Sequence, residues 1–145
     1  MTAARREHLA ESSRTPAASA ANEFVEIRND PLKGRGIFAR VPIAAATLVE
    51  AAPVIVVPAT QCTLLDRTIL HDYYFRWDDD AGVGGGRGAV ALGLVSLCNH
   101  SKRPRARVRR NEVQQTLDLI ALATIAAGEE VTIDYNCPLW FAPQE

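Results

Sequence analysis

Apolar and polar positions fall into short alternating or clustered runs along most of this chain, and helical spacing is sustained once. Phe24-Val25-Glu26-Ile27-Arg28 alternates and stops at Asn29-Asp30-Pro31, a turn cluster, so it predicts a strand. Gly36-Ile37-Phe38-Ala39 predicts the next one, and Val41-Pro42-Ile43 ends it because Pro42 cannot donate to a ladder. Thr47 to Val57 is β-branched and apolar with Pro53 inside and Pro58 after it, which predicts one or two short strands. Leu64, Leu65, Ile69, Leu70, Tyr73 and Tyr74 lie near helical spacing, so a helix is expected from Thr63 to Phe75, capped by Thr63 with Asp66. Trp77 and the acids after it lead into a flexible glycine loop, Gly82 to Gly88.

Ala89 to Leu97 is apolar, whereas Ala106 to Gln114 alternates with little apolar content and is expected to be solvated over much of its surface. Leu117 to Ile125 is strongly apolar and should be central. A turn at Ala126-Ala127-Gly128 then leads to a last strand, Val131 to Tyr135. Residues 1–22 have no apolar period and predict a disordered tail ahead of one domain over 23–145. Many short strands, frequent Gly and Pro breaks and one helix make a mainly β domain with short helices. No internal repeat is visible.

Composition narrows the function classes. The 145 residues are 48% hydrophobic and carry a net charge of −1, which fits a globular domain with a real core and no overall attraction to nucleic acid or anionic membrane. The charge is unevenly placed. Lys102, Arg103, Arg105, Arg107, Arg109 and Arg110 form a basic stretch without an acid, and removing these six from 16 basic residues leaves 10 against 17 acidic ones. A solvated strand face is the plain explanation, and nucleic-acid binding is not expected because no aromatic is interleaved to stack bases. Three cysteines without a Cys-x-x-Cys pair indicate neither a disulfide framework nor a zinc cluster, so no metal is expected and a reducing, cytoplasmic setting is. No apolar run reaches the ~20 residues needed to span a bilayer, so no membrane partner is expected.

Three segments carry candidate chemistry. Lys33-Gly34-Arg35-Gly36 precedes Ile37-Phe38-Ala39 and would let backbone approach a ligand or simply turn. Asn99-His100-Ser101 with Pro104 follows an apolar stretch; a polar strand end bonded to its own turn is the ordinary reading. Gly128-Glu129-Glu130-Val131-Thr132-Ile133-Asp134-Tyr135 reads as a turn and strand ending in an amphipathic tyrosine. In this order the three resemble the signature of SET-domain protein lysine methyltransferases, in the minimal form without flanking cysteine modules.

That resemblance implies a β-clip-like fold of several small sheets with a C-terminal pseudoknot. It implies S-adenosylmethionine (SAM) as cofactor, held by Lys33, Gly34, Arg35, Gly36, Asn99, His100 and Tyr135, with Tyr135 as the catalytic residue. It implies a lysine-bearing protein as substrate, with Tyr74, Trp140 and Phe141 as candidate channel residues and a short C-terminal segment closing over the site. Arg105 stands where the family usually has a second Asn, which places local geometry in question. A catalytically inactive protein-binding module is the alternative, and homodimerisation is left open. Cys98, beside Asn99, has no partner base in the sequence pattern and reads as core.

Overall fold

The computed structural model describes residues 21–79 and 85–135. Two antiparallel sheets organise them. Strands β1 (Val25–Asp30) and β2 (Gly34–Ala39) form a hairpin. Its turn is closed by Asp30, whose Oδ1 accepts from the backbone N–H of Leu32 and Lys33 at 2.7 and 2.9 Å. The second sheet holds β3 (Leu48–Val57), β4 (Phe75–Arg76), β5 (Gly88–Ala91), β6 (Ala106–Asn111) and β7 (Thr116–Ala121), in spatial order β4-β5-β3-β7-β6. The described chain begins inside the segment the sequence assigns to the tail. Asn22 accepts from Phe24 and Val25 N–H and donates to the Val49 carbonyl, tying that point to β3.

Strand β3 is continuous through Pro53 because it changes partner there. Leu48 to Pro53 pairs with β7, and Val54 to Val57 pairs with β5. The missing Pro53 N–H falls at the handover, and its carbonyl still accepts from Leu92 N–H at 2.8 Å. Strand β7 is an interior strand between β3 and β6 with all six residues buried, and it ends at Ala121 rather than running on to Ile125. One buried cluster joins the inner sheet face (Val49, Ala52, Leu117, Leu119) to the hairpin (Val25, Ile37, Ala39) and to Val95, Val131 and Ile133.

Two expectations are corrected. The helix predicted over Thr63 to Phe75 is instead α1 (Ala59–Leu65) followed by a separate 3-10 turn, Ile69–Asp72. Leu64, Ile69 and Leu70 stay exposed, so their helical spacing serves no buried face that could hold one long helix together. Thr68 divides the two with extended backbone and accepts from Leu70 N–H through its side chain. Thr63 does not cap; Pro58 precedes the helix, and the Thr63 hydroxyl donates to the Thr60 carbonyl.

The last strand predicted over Val131 to Tyr135 makes isolated bridges rather than a ladder, because its partner changes almost residue by residue. Val131 N–H donates to Ile37, Ile133 N–H donates to Asn99, and the Thr132 carbonyl accepts from Arg105 and Ala106. The segment therefore lies between β2 and residues 99–106, the interleaving that the pseudoknot expectation requires. Gly128 enters it at φ +87°, a left-handed conformation that glycine adopts without a Cβ penalty.

A second 3-10 turn, Leu94–Leu97, delivers the chain to Cys98-Asn99-His100. Glu50 on β3 holds its start: Oε1 accepts from Leu94 N–H at 2.9 Å and Oε2 from Val95 N–H at 2.8 Å. Gly93 permits this approach, since a Cβ there would sit 2.7 Å from the Ala52 Cβ and 2.8 Å from Glu50 Oε1. Removing the carboxylate strands two partly buried donors. Glu50→Ala should therefore lower unfolding free energy by about 2–3 kcal/mol in urea denaturation, and Glu50→Gln, which keeps one acceptor, should cost less. Equal stability of all three proteins would show that this carboxylate does not hold the turn.

Candidate active site

Residues far apart in sequence meet on either side of the Cys98-Asn99-His100 segment. On one side, the interleaved segment brings Glu130 against the hairpin. Asn99 Nδ2 donates to Glu130 Oε1 at 2.7 Å and to the Arg35 carbonyl at 3.3 Å, and Lys33 Nζ reaches Glu130 Oε2 at 3.2 Å. The Lys33 and Glu130 side chains are only 21% and 15% exposed, so this ion pair is less screened than a surface one. Gly36 is the contact that allows the cluster. A Cβ there would lie 2.8 Å from Glu130 Oε1 and 2.9 Å from Asn99 Nδ2. Gly34, in the same turn, has φ +78°.

On the other side, Tyr135 packs on His100, with ring centroids 5.2 Å apart. The Tyr135 hydroxyl donates to the Cys98 carbonyl at 2.9 Å, and the Tyr135 N–H donates to His100 Nδ1 at 3.2 Å. A neutral His100 accepting at Nδ1 carries its proton on Nε2. Cys98 is 3% exposed, and burial first, then the nearby Glu50 and Glu130 charges, push its thiol up, so it is core and no nucleophile.

Tyr135 and Tyr74 line one cleft of about 1020 Å³, together with Asp66, His71, Cys98 and Ile133. Lys33, Gly34, Arg35, Gly36 and Asn99 do not line it; they form the polar cluster behind Cys98-Asn99-His100. Trp140, Phe141 and Cys137 lie outside the described residues. Among the described residues no three His, Cys, Asp or Glu side chains converge on a metal position. Arg105, the departure from the family pattern, leaves the backbone course intact. Its N–H donates to the Thr132 carbonyl, and its side chain points outward to Glu129 at 3.2 Å.

Two supporting residues received no role from the sequence, and a third received a different one. Glu130 sits inside a quoted motif, but nothing along the chain says that it pairs with Lys33 and Asn99. Glu50 is an acid within an apolar strand, the one linear hint that it has a buried partner. Asp66, expected at a helix start, instead accepts from the Tyr74 hydroxyl at 2.7 Å and contacts His71 Nδ1 at 3.0 Å. Tyr74 is thus held over Gly88, where a Cβ would meet its ring at 2.9 Å.

A mostly β fold with a late segment interleaved beside an Asn-His turn defines a particular class of protein, and comparison with known proteins agrees. The SET domain family matches residues 34–136. A histone-lysine N-methyltransferase of Schizosaccharomyces pombe, described as specific for H3 lysine-37, is 32% identical over 118 residues, covering 81% of this chain and 76% of that protein. A solved structure of a candidate histone methyltransferase from Plasmodium falciparum shares the fold, with a TM-score of 0.61 at 21% identity over 83% of this chain and all of that one. The chain belongs to the SET-domain family of protein lysine methyltransferases.

Burial first, then the Asp66 hydrogen bond and charge, push the Tyr74 hydroxyl up to about 12. Because the fold favours the neutral phenol, the stability this contributes is complete below the ordinary tyrosine value of about 10 and is lost as pH rises through 12. In an ultraviolet absorbance titration, Asp66→Asn should move the highest tyrosine transition downward, though not fully to 10, since burial remains. An unchanged transition would disprove the coupling.

Proposed function

We propose that this chain transfers the methyl group of SAM to the side-chain amine of a lysine in a protein substrate. The observation that carries this reading is the placement of Tyr135 at the cleft wall beside Asn99-His100, with its hydroxyl proton committed to the Cys98 carbonyl. What that hydroxyl then offers an approaching amine is its oxygen, an acceptor. Fixed in this way it can orient the amine without reorganising, so rate comes from alignment and preset electrostatics. His100 acts as a positioning residue by accepting the Tyr135 backbone N–H.

The polar cluster suits the amino-acid end of SAM, which carries one charge of each sign. Lys33 offers a cation and Glu130 an anion. The Asn99 carboxamide oxygen makes no hydrogen bond among the described residues, so it remains an acceptor for an ammonium group. Gly36 brings backbone to the same place. When bound there, SAM supplies an electrophilic methyl group. A lysine must lose its proton to accept it, and a free lysine, with a pKa near about 10.4, is almost wholly protonated at neutral pH. Enclosure in the cleft disfavours the charged form and lowers that value. The substrate for which the Schizosaccharomyces pombe relative is named makes histone H3 the first protein to test.

With radiolabelled SAM and histone H3, the parent should label the protein. Tyr135→Phe should label it about 100-fold more slowly while still binding SAM in calorimetry. Asn99→Ala should lose both labelling and the heat of SAM binding. Parent-like labelling by Tyr135→Phe would refute the assignment, and SAM binding without labelling of H3 or a whole-cell protein extract would favour the inactive module.

A further inference from the structure

The five-stranded sheet has a second face that the core does not use. Residues paired directly across antiparallel strands point the same way, so register defines that face. Ile55 pairs with Val90, Pro53 stands opposite Leu92, Leu48 pairs with Ile120, and Leu122 stands opposite Arg105. Four aliphatic side chains there remain accessible: Leu48 at 48%, Ile55 at 54%, Leu92 at 59% and Leu122 at 47%. Leu48 and Leu122 sit together at the β3–β7 pair, where neighbouring strands run about 4.8 Å apart, and Ile55 and Leu92 form a second pair toward β5.

The β6 edge of the same face is basic. Arg107 and Arg109 on β6, and Arg105 just before it, are exposed at two-residue intervals. Arg109 pairs with Asp118 at 2.9 Å, which explains how that carboxylate is buried on this face, and Arg105 pairs with Glu129. Arg103 and Arg107 make no side-chain ion pair or hydrogen bond among the described residues. Arg107 stands opposite Ile120 and Ile120 opposite Leu48, so the Leu48–Leu122 pair and the cationic edge occur side by side.

We propose that this face docks an acidic amphipathic segment of a partner protein, with aliphatic side chains over Leu48 and Leu122 and carboxylates toward Arg107. Duplex nucleic acid would satisfy the arginines but has no apolar surface to cover the aliphatic residues, and the face has no aromatic to stack a base. A second copy of this chain would bring an identical basic edge and repel at the rim. Arg107 also lines the cleft that holds Tyr135, but the inference does not depend on the methyl-transfer reading, because peptide binding is read without SAM or a lysine substrate.

The full chain should bind a fluorescent synthetic peptide that places leucines at helical spacing with glutamates between them. Binding should weaken with added salt. Arg107→Glu, and separately the paired change Leu48→Thr with Leu122→Ser, should each weaken it by about tenfold, with circular dichroism and thermal melting confirming an intact fold. A scrambled peptide of the same composition should bind much less. Absence of binding, equal binding of the scrambled peptide, or indifference to either variant would overturn the proposal. So would tighter binding of a DNA duplex that responds only to Arg107→Glu, or light scattering that shows self-association abolished by the Leu48 and Leu122 changes.

Discussion

The insertion of residues 128–133 between β2 and residues 99–106 is the constraint on which this structure depends. Its backbone is satisfied on both sides: Gly128 and Val131 N–H by Ala39 and Ile37, Ile133 N–H by Asn99, and the Thr132 carbonyl by Arg105 and Ala106. Neither neighbour could leave those groups unpaired in a dry interior without loss. The apolar side chains of this segment, Val131 and Ile133, enter the same core as Ile37 and Val95, so packing and hydrogen bonding select one threading. Glu130 is thereby turned toward Lys33 and Asn99, and Tyr135 arrives two residues after the last shared hydrogen bond.

Polar support follows from that frame. Glu50 anchors the turn that presents Cys98-Asn99-His100, and Glu130 fixes Asn99 from the opposite side. His100 and the Cys98 carbonyl then hold Tyr135 by its backbone and its hydroxyl. The chain from β3 to the tyrosine consists of short, directional contacts, each between residues widely separated in sequence. Rigid positioning of this kind is what a methyl-transfer site needs, because its chemistry calls for alignment more than for a strong acid or base. The Tyr74–Asp66 pair gives the far wall of the cleft a comparable restraint.

The outer sheet face follows a different logic. The inner face is filled and mostly apolar, whereas the outer one keeps half-exposed aliphatic residues beside arginines. Alternation along β6 places Arg107 and Arg109 on one side, so part of what looks like a uniform charge run becomes an ordered edge. Arg110 departs from that edge: it turns inward over Trp77 and donates to the Trp77 carbonyl.

Short-range pattern was enough to place the hairpin, β3, β6 and the buried β7, because alternation and apolar runs report directly on which face meets the core. Ordered motifs were enough for the family and for Tyr135, Asn99 and the Gly36 turn as site candidates. Helical spacing misled over Thr63 to Phe75, since spacing records a possible face and not whether anything covers it. Strand pattern misled over Val131 to Tyr135 for the converse reason: its residues are strand-like, but its partners alternate. Which side chain meets which was decided by the tertiary structure alone. Glu130 on Asn99, Glu50 on the turn before it, Asp66 on Tyr74 and the alignment of Leu48, Ile55, Leu92 and Leu122 on one face all depend on long-range register, and a linear pattern carries no information about which distant strands become neighbours.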